Sequence, residues 1–431
     1  MSLTLSPTGN CLRARVLRLF AAQSLPHKTS RWLVRHHWLV LGFIALLAVI
    51  FVTGLWLRPA KRQAFELRMQ VPAVGAGFEL ALYQSLGVRM EPGHTVQVLE
   101  NGLVFDGLER DLRAATSSVH VLFYIWEKGR ASDRISAALQ DRARAGLQCR
   151  VLVDDLGSPD FARDVQPALS RAGCRVRVFR PQTLGNTLAR DHRKLAIVDG
   201  VIGYTGGLGV RDNWLGDGVH AEGWRDTSVR FSGPSVAAAQ QAFAENWQEA
   251  GGELLPASAF PTFGAQPAAL NDATISAAFV ASTGSSELTR AERLTQVMLA
   301  AASRRIWIEN AYFVPTKGVS ELLCRKAREG VDVRLMVPGK QSDSKTSFGA
   351  QHAEFGSLIQ EGVRVLEYQP TMLHAKTMLI DDELALVGSI NLDPLSLSKL
   401  EEDALVVASR SVVDTLARSF IVDSTHAEEK H

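Results

Sequence analysis

The sequence predicts an α/β protein built from two lobes related by a pseudo-twofold axis, each a mixed β-sheet flanked by helices, with an N-terminal transmembrane helix. Three observations support this prediction: an uncharged apolar run near the N-terminus, alternating strand and helix patterns after it, and the return of those patterns in the second half of the chain. Strands that alternate with helices are typical of sheets covered on both faces. A chain of 431 residues has room for two or three domains.

The apolar run covers residues 38–57 and predicts a membrane anchor. It contains no charged residue, and a helix that rises about 1.5 Å per residue would cross a hydrocarbon core of about 30 Å over this length. Trp38 and Trp56 would lie at the two interfaces. Because the apolar core of a cleaved signal peptide is shorter, about 7–15 residues, we predict a retained anchor.

The segments on either side of this run are basic. In residues 1–37 the pattern is compatible with a helix lying on an anionic membrane surface and equally with a disordered tail. Residues 58–94 are expected to be a juxtamembrane linker. Lys and Arg are equally frequent near both ends of the run, so the charge rule does not choose the side of the membrane on which the rest of the chain lies.

Two copies of one unit follow. Each copy has an apolar strand, a helix, a second strand, a further helix and a third strand. The strands are expected at residues 117–127, 149–155 and 174–180 in the first copy, and at 304–315, 331–339 and 363–369 in the second. We therefore place a first lobe at residues 95–254 and a second lobe at 276–431, joined by a Pro-, Ala- and Gly-rich connector over 255–275.

Composition and cysteine content exclude several classes of protein. Lys and Arg number 47 against 45 Asp and Glu, and 46% of the residues are hydrophobic. This balance excludes a disordered polyelectrolyte and a general nucleic-acid-binding protein. Four scattered cysteines are too few for a disulfide framework or a closed zinc site. Cys149 and Cys174 begin the similar strings CRVLV and CRVRV, and we expect two buried free thiols rather than a disulfide.

Each copy ends with the pattern H-x-K-x4-D and a turn of small residues. The positions are His192, Lys194 and Asp199 in the first copy and His374, Lys376 and Asp381 in the second. Side chains two residues apart in a strand point to the same side, so each His shares a face with its Lys. One such pattern has little meaning, but two at corresponding places of a repeat indicate a functional pair.

These residue types suit the cleavage of a phosphodiester. A neutral imidazole is a nucleophile toward phosphorus, a lysine beside it neutralises the phosphate oxygens, and a second imidazole can protonate the departing alkoxide. Two lobes that face each other would place one His on each side of the phosphorus. This chemistry needs no metal and no cofactor.

The paired patterns resemble those of the phospholipase D superfamily, and the surrounding sequence is similar to the bacterial cardiolipin synthases. The similarity covers roughly residues 96–410 and includes YIWEKG, AGLQCRVLVDDLGS, HRKLAIVDG, AYFVP, EGVDVRLMVPGKQSD and GSINLDPLS. The resemblance implies a single-pass enzyme of the bacterial cell membrane that acts on phospholipids. The implied reaction transfers a phosphatidyl group from phosphatidylglycerol to a lipid alcohol, giving cardiolipin and glycerol.

The resemblance also implies how the site residues act. His192 would attack the phosphorus to form a phosphohistidine, and His374 would act as acid and then as base, although the sequence alone does not fix which is which. Lys194, Lys376 and Asn391 would bind the phosphate.

Four carboxylates complete the implied site. Asp226 in the string WRD and Glu402 resemble the carboxylates that orient each histidine through its other ring nitrogen. Asp199 and Asp381, the last residues of the two patterns, would be structural more than catalytic.

Three positions depart from the family pattern. Gly209 stands where the second copy has Asn391, so one phosphate-binding amide is missing, and Asn213 is a nearby candidate to replace it. Leu395 and Leu400 stand where many members carry Arg and Asn. All four His and Lys positions are present, so we expect an active enzyme with a possible change in substrate preference.

Other chemically suggestive residues have a simpler interpretation. His220 and His352 do not belong to any sequence motif and are expected to be surface or packing residues. Aromatic side chains beside strands and at helix ends more often belong to the core than to a ligand cleft; those concerned are Tyr124, Trp126, Trp214, Trp224, Trp247 and Phe313.

Three alternatives to the transferase stay open. Water could replace the lipid alcohol, which would make the protein a phospholipid hydrolase. A nuclease or another phosphodiesterase is opposed by the balanced charge and the lack of basic stripes. A membrane scaffold without turnover would follow if the first lobe, with its Gly209, were inactive.

Overall fold

The computed structural model describes residues 37–56, 67, 71–181, 189–220, 223–261, 275–285 and 288–431. The chain divides into two compact units, Met1–Arg62 and Gln63–His431. The basic tail predicted for residues 1–37 lies outside the described residues except for its last position. Most of the predicted connector, residues 262–274, lies outside them as well.

The described part of the first unit is one helix, α1 (His37–Trp56). Its sequence has no charged residue and no proline, so nothing in it interrupts the backbone hydrogen bonds of a helix. Within the described residues, however, no helix meets the length and apolarity required to cross a membrane. The membrane anchor predicted over residues 38–57 is therefore not confirmed.

In the second unit, the described residues form fifteen strands that join in one mixed sheet. The strands are β1 (Glu91–Glu100), β2 (Ser118–Phe123), β3 (Gln148–Asp154), β4 (Arg175–Phe179), β5 (Leu195–Val198), β6 (Ile202–Gly206), β7 (Thr227–Ser232), β8 (Ile275–Ser282), β9 (Arg305–Asn310), β10 (Asp332–Pro338), β11 (Arg364–Tyr368), β12 (Lys376–Ile380), β13 (Leu384–Gly388), β14 (Glu402–Ala408) and β15 (Ala427–Glu429).

The order of the strands repeats in the two halves of the sheet. From the centre outward the first half runs β1-β7-β6-β5-β2-β3-β4, and the second runs β8-β14-β13-β12-β9-β10-β11 with β15 at its edge. In both halves the last three of the repeated strands are parallel and the others antiparallel. The halves meet where β1 pairs with β8. The sheets that the sequence predicts for each lobe are thus halves of one sheet, which leaves neither β1 nor β8 as an open edge.

Helices cover the sheet on both faces. They are α2 (Ala76–Leu86), α3 (Leu103–Ala114), α4 (Arg130–Arg144), α5 (Phe161–Asp164), α6 (Gln166–Arg171), α7 (Ser235–Glu249), α8 (Arg290–Ala301), α9 (Lys317–Arg328), α10 (Lys345–Gln360) and α11 (Arg410–Ser424), with 3-10 turns at Asp212–Leu215 and Ala257–Ala259.

Helix α2 corrects the prediction that residues 58–94 are a linker. Its residues Phe78, Leu82 and Leu86 are four apart, form one face and are buried. That face packs in the core of the second lobe with Leu294 and Met298 of α8. The segment just before the first lobe therefore forms part of the core of the second lobe.

A shared core holds the two lobes together. Buried side chains from both halves of the sheet join one cluster with α7 and α11, among them Phe231 of β7, Phe279 of β8 and Leu405 of β14. The rings of Phe231 and Phe279 stack with their centroids 6.2 Å apart. This core fixes the position of the strands that carry the two sequence patterns.

Cys149 and Cys174 form a disulfide, so the prediction of two free thiols was wrong. Cys149 is the second residue of β3 and Cys174 comes just before β4, and the register of these neighbouring parallel strands places Arg150 opposite Arg175. This register brings the two cysteine Cα atoms to 4.6 Å, within the range that a disulfide can bridge. The register between two strands depends on the folded sheet, and the sequence strings alone did not reveal it.

Candidate active site

The backbone places His192 just before β5 and His374 just before β12, each held by the opposite lobe. The main-chain N–H of His192 donates to the carbonyl of Glu401 at 2.8 Å, and that of His374 donates to the carbonyl of Arg225 at 2.7 Å. Short parallel bridges next to the histidines, Asp191 with Glu401 and Arg225 with Leu373, accompany these bonds. Each histidine is therefore fixed relative to both lobes.

The side chain of His192 is buried against a carboxylate of the second lobe. Its Nδ1 lies 3.0 Å from both Oε1 and Oε2 of Glu402. The Ser389 hydroxyl donates to the same carboxylate. The ring of Tyr124 meets the imidazole edge-on, with the centroids 5.1 Å apart.

His374 has the reciprocal arrangement with a carboxylate of the first lobe. Its Nδ1 lies 3.0 Å from Oδ2 of Asp226, which also accepts a hydrogen bond of 2.6 Å from Nε1 of Trp214. The rings of Trp214 and Trp224 pack on the imidazole with centroids 5.1 and 5.2 Å away. The two carboxylates that the sequence singled out thus contact the histidines crosswise, each reaching the histidine of the other lobe.

Burial keeps both imidazoles neutral. Burial, followed by the charges of Lys194 and Lys376, places the pKa of His192 well below its usual value. Burial, followed by the charge of Lys376, lowers the pKa of His374 to about 4. With Nδ1–H directed to a carboxylate, each ring leaves the lone pair of Nε2 for chemistry.

The two lysines lie beside the histidines in equivalent ways. Nζ of Lys194 donates to the carbonyl of His192 at 2.5 Å, and Nζ of Lys376 donates to the carbonyl of His374 at 2.6 Å. Nζ of Lys376 also lies 3.0 Å from Nε2 of His374. Burial lowers the pKa of Lys194 to about 8 and that of Lys376 to about 7. Burial raises the pKa of Glu402 to about 7.

One cavity of about 500 Å³ connects these groups. His192, Lys194, His374 and Asn391 line it, whereas Lys376, whose Nζ lies 3.0 Å from both ring nitrogens of His374, does not. Both histidines therefore open into the same space. A single phosphodiester bound there could be reached from both lobes.

The turns that follow β6 and β13 show why the two lobes differ at this cavity. Ser389 of the second lobe corresponds to Gly207 of the first, where a Cβ would lie 2.1 Å from Oδ1 of Asp226. Asn391 corresponds to Gly209, where a Cβ would lie 3.0 Å from the Trp214 ring. The glycines make room for Asp226 and for the indole that bonds to it.

Among the residues that the structure describes, no amide side chain of the first lobe lines the cavity. Asn213, the candidate nearby in sequence, is not among the residues that line it. Asn391 is buried, its Nδ2 donates to Oγ of Ser396 at 3.4 Å, and its Oδ1 has no hydrogen-bond partner within the described part of the chain.

Asp199 and Asp381 lie outside the cavity and hold turns. Both have positive φ angles, 53° and 51°. Asp199 accepts backbone N–H groups of residues 116–118, and Asp381 accepts those of residues 303–305. Their contacts fix the far ends of β5 and β12, so neither touches the reacting groups.

Some of the aromatic residues expected in the core also line the cavity. Tyr124, Trp214 and Trp224 line it, because the turns before β7 and after β2 end at the cavity; Trp214 and Trp224 are also buried in the core of the first lobe, as expected. Trp126, Trp247 and Phe313 are buried in the core as expected. Leu395 and Leu400, the two departures in the second lobe, also line the cavity.

His220 and His352 do not line the cavity. His220 is exposed and lies 2.6 Å from Asp217. His352 lies 2.7 Å from Glu367 through Nε2. The polar lining residues Tyr312, Asp343 and Asp393 lie in the strings AYFVP, EGVDVRLMVPGKQSD and GSINLDPLS that carry the family resemblance, but they were not predicted as site residues, since none belongs to the repeated pattern.

Comparisons with known proteins agree with the geometry. The family described as "Cardiolipin synthase, PLD-like domain" matches residues 108–242 and 296–423. Cardiolipin synthase 1 of Bacillus anthracis is 31% identical over 343 residues, which cover 78% of this chain and 67% of that protein. Cardiolipin synthase A of Pseudomonas putida is 31% identical over 339 residues, which cover 78% and 69%. The matched part is thus about two thirds of each relative's length.

A solved structure has a similar fold. The crystal structure of phosphatidylserine synthase from Haemophilus influenzae Rd KW20 aligns with a TM-score of 0.61 at 15% identity and covers 82% of this chain and 92% of that chain. At this identity the likeness concerns the fold alone.

Proposed function

Because the chain belongs to the cardiolipin synthase family with phospholipase D-like domains, and is thus a phospholipase D-superfamily enzyme, we propose that it transfers a phosphatidyl group from phosphatidylglycerol to a lipid alcohol. With a second phosphatidylglycerol as acceptor, the products are cardiolipin and glycerol. One observation carries the proposal: two neutral imidazoles, each paired with a carboxylate of the opposite lobe, open into one cavity.

In the first half-reaction, Nε2 of His192 attacks the phosphorus of the donor lipid. A nitrogen–phosphorus bond forms, the bond from phosphorus to the glycerol oxygen breaks, and His374 gives its proton to that oxygen. Glu402 stabilises the charge that appears on the His192 ring. His374 must be protonated in this step, although its pKa in the free site is about 4; the negative charge of the bound phosphodiester, together with the Asp226 carboxylate, favours the protonated form.

In the second half-reaction, His374 removes the proton from the acceptor hydroxyl. The oxygen attacks phosphorus, the nitrogen–phosphorus bond breaks, and His192 is restored. Lys194, Lys376 and the amide of Asn391 balance the charge that builds on the phosphate oxygens. Asp199 and Asp381 act only by holding the strands.

The proposal includes a single-pass anchor at residues 38–57 in the bacterial cell membrane. The uncharged sequence of α1 supports it. An anchor would hold the protein at the bilayer, where both lipid substrates reside.

The test is incubation of the purified full-length protein with labelled phosphatidylglycerol in mixed micelles, followed by mass spectrometry of the lipids. We expect cardiolipin and glycerol from the unaltered protein, and loss of more than about a thousandfold in rate for His192→Ala and for His374→Ala. The control His220→Ala changes an exposed histidine outside the cavity and should retain full activity.

Two results would contradict the proposal. Phosphatidic acid as the sole product, even with excess alcohol, would identify a hydrolase. Unchanged lipids with every acceptor would show that the protein does not turn over phospholipids.

A further inference from the structure

The walls of the cavity differ between the two lobes although the histidines and lysines are paired. Apart from His192 and Lys194, the first lobe contributes mainly apolar and aromatic side chains, among them Ile125, Leu208 and Trp224. Among the described residues, the carboxylates that line the cavity, Asp343 and Asp393, both come from the second lobe. The site is therefore paired in its two histidines and asymmetric in the rest of its wall.

The two carboxylates share the cavity wall of the second lobe, and Asp343 is connected to His374 through Tyr312. Oδ1 of Asp343 accepts the hydroxyl of Tyr312 at 2.8 Å, and the Tyr312 ring lies edge-on to His374 with centroids 6.1 Å apart. Oδ1 of Asp393 accepts the backbone N–H groups of Leu395 and Ser396 at 2.7 and 3.2 Å. Burial raises the pKa of Asp393 to about 6.

An independent feature of the same wall calls for a hydrogen-bond donor. Oδ1 of Asn391 is an acceptor in a side chain that is 3% exposed, and it has no partner within the described part of the chain. A buried acceptor without a donor is costly, typically about 1–3 kcal/mol. A bound molecule with hydroxyl groups would satisfy it, whereas a phosphate oxygen has no proton to give.

The order of bond changes places the acceptor on this wall. The leaving oxygen departs opposite His192, and the acceptor oxygen must attack the phosphohistidine from that same side, next to His374. Tyr312 and Asp343 adjoin His374 from the second lobe. The positive charges of Lys194 and Lys376 close by disfavour an ammonium head group and leave neutral hydroxyls as the suited donors.

We propose that Asp343, Asp393 and Oδ1 of Asn391 form a subsite for the hydroxyl groups of a polyol, and that this subsite selects a glycerol head group as the acceptor. The inference rests on the proposed function. It adds that the second lobe selects the acceptor alcohol, through side chains other than the paired histidines and lysines.

The test is a competition between two small acceptors, isotopically labelled glycerol and 1-propanol, for the phosphatidyl group of unlabelled phosphatidylglycerol, using the full-length protein; the label distinguishes the glycerol product from the donor. Both alcohols have a primary hydroxyl, and only glycerol has the neighbouring hydroxyls that the subsite would bind. We expect the unaltered protein to favour glycerol. The product ratio of glycerol to 1-propanol should fall about tenfold in Asp343→Ala, since a hydrogen bond to a charged group is lost.

Asp393→Asn is the second variant, because it keeps the oxygen that accepts the two backbone N–H groups and so protects the turn. We expect the same direction of change. The matched control is Asp414→Ala, which removes an exposed carboxylate of α11 outside the cavity and should keep the original ratio.

The outcomes separate this inference from the proposed function. Transfer to both alcohols with an unchanged ratio in Asp343→Ala and Asp393→Asn would overturn the subsite and leave the transferase intact. A higher yield with ethanolamine than with glycerol would overturn the polyol specificity. If the unaltered protein transferred to no alcohol at all, the proposed function itself would fail.

Discussion

At the scale of single residues, the site removes four ionisable groups from water and shifts their protonation toward neutral forms. Burial lowers the pKa of both lysines and both histidines. A neutral His192 can attack phosphorus, but a neutral lysine cannot balance the charge of the phosphate. The protonation states that catalysis needs therefore coexist only over a limited pH range.

The basic side of this range should be set by Lys376. Its pKa of about 7 means that it is charged below that pH and neutral above it, so kcat/KM should fall as pH rises through about 7 to 8. On the acid side kcat/KM should fall only near the pKa of His192, which lies well below its usual value, because the attacking imidazole must be neutral. Lys376→Arg keeps the charge at all these pH values. In this variant kcat/KM should therefore fall only at the higher pH at which Lys194, whose pKa is about 8, loses its charge.

Rates for a short-chain soluble donor lipid, measured from about pH 5 to about pH 10, check this prediction, because kcat/KM reports the groups of the free enzyme. A basic limb at the same pH in Lys376→Arg and in the unaltered protein would assign that limb to another group. His220→Ala serves as the control for general effects of substitution.

At the scale of elements, the period of a strand explains what the sequence could predict. The patterns His192 to Lys194 and His374 to Lys376 identify one face of each site segment, because alternate side chains share a side. The apolar runs also located β2, β3, β9 and β10, although the run predicted over 304–315 leaves the sheet after Asn310.

Contacts between distant segments could not be predicted in this way. The crosswise bonds from His192 to Glu402 and from His374 to Asp226 depend on how one lobe packs on the other. The same holds for the docking of α2 on the second lobe. An aromatic side chain such as Trp214 has the same apolar character in a core and in a cavity wall, so its place follows only from the fold.

The turn after β6 gives a prediction at this scale. Gly209→Asn would restore the amide of the family pattern, but its Cβ would lie 3.0 Å from Cη2 of Trp214 and 3.2 Å from Cβ of Ile125. The indole that bonds to Asp226 would have to move. We expect a loss of about 1–3 kcal/mol in the free energy of unfolding and lower, not higher, transferase activity.

Thermal unfolding and the cardiolipin assay measure these two effects. Gly356→Ala is the control, since a Cβ at this helical position meets no atom within 4 Å and should leave stability unchanged or raise it by about 0.5–1 kcal/mol. An active Gly209→Asn protein of normal stability would show that the indole tolerates the amide.

At the scale of the whole molecule, buried charges join the two lobes behind the site. Arg225 of the first lobe donates to Oδ2 of Asp423 in the second at 2.7 Å, and both side chains are buried. Nη2 of Arg225 also lies 3.9 Å from Oε1 of Glu309. Burial raises the pKa of Glu309 to about 8, so at neutral pH it is mostly protonated and Asp423 balances the arginine.

Removal of Arg225 should therefore cost more than the loss of an ordinary ion pair. Arg225→Ala leaves the Asp423 carboxylate buried without its cation, and we expect the free energy of unfolding to fall by about 3–5 kcal/mol. The double variant Arg225→Met with Asp423→Leu removes both charges and fills the space, so it should recover most of that loss. Urea unfolding followed by circular dichroism measures the free energy of unfolding of the unaltered protein, of Arg225→Ala and of the double variant.

The control is Arg304→Ala, which breaks an ion pair with Asp382 in which the side chains are 59% and 37% exposed. It should lower the free energy of unfolding by less than about 1 kcal/mol. If Arg225→Ala were as stable as Arg304→Ala, the buried charges behind the site would not contribute to holding the lobes together.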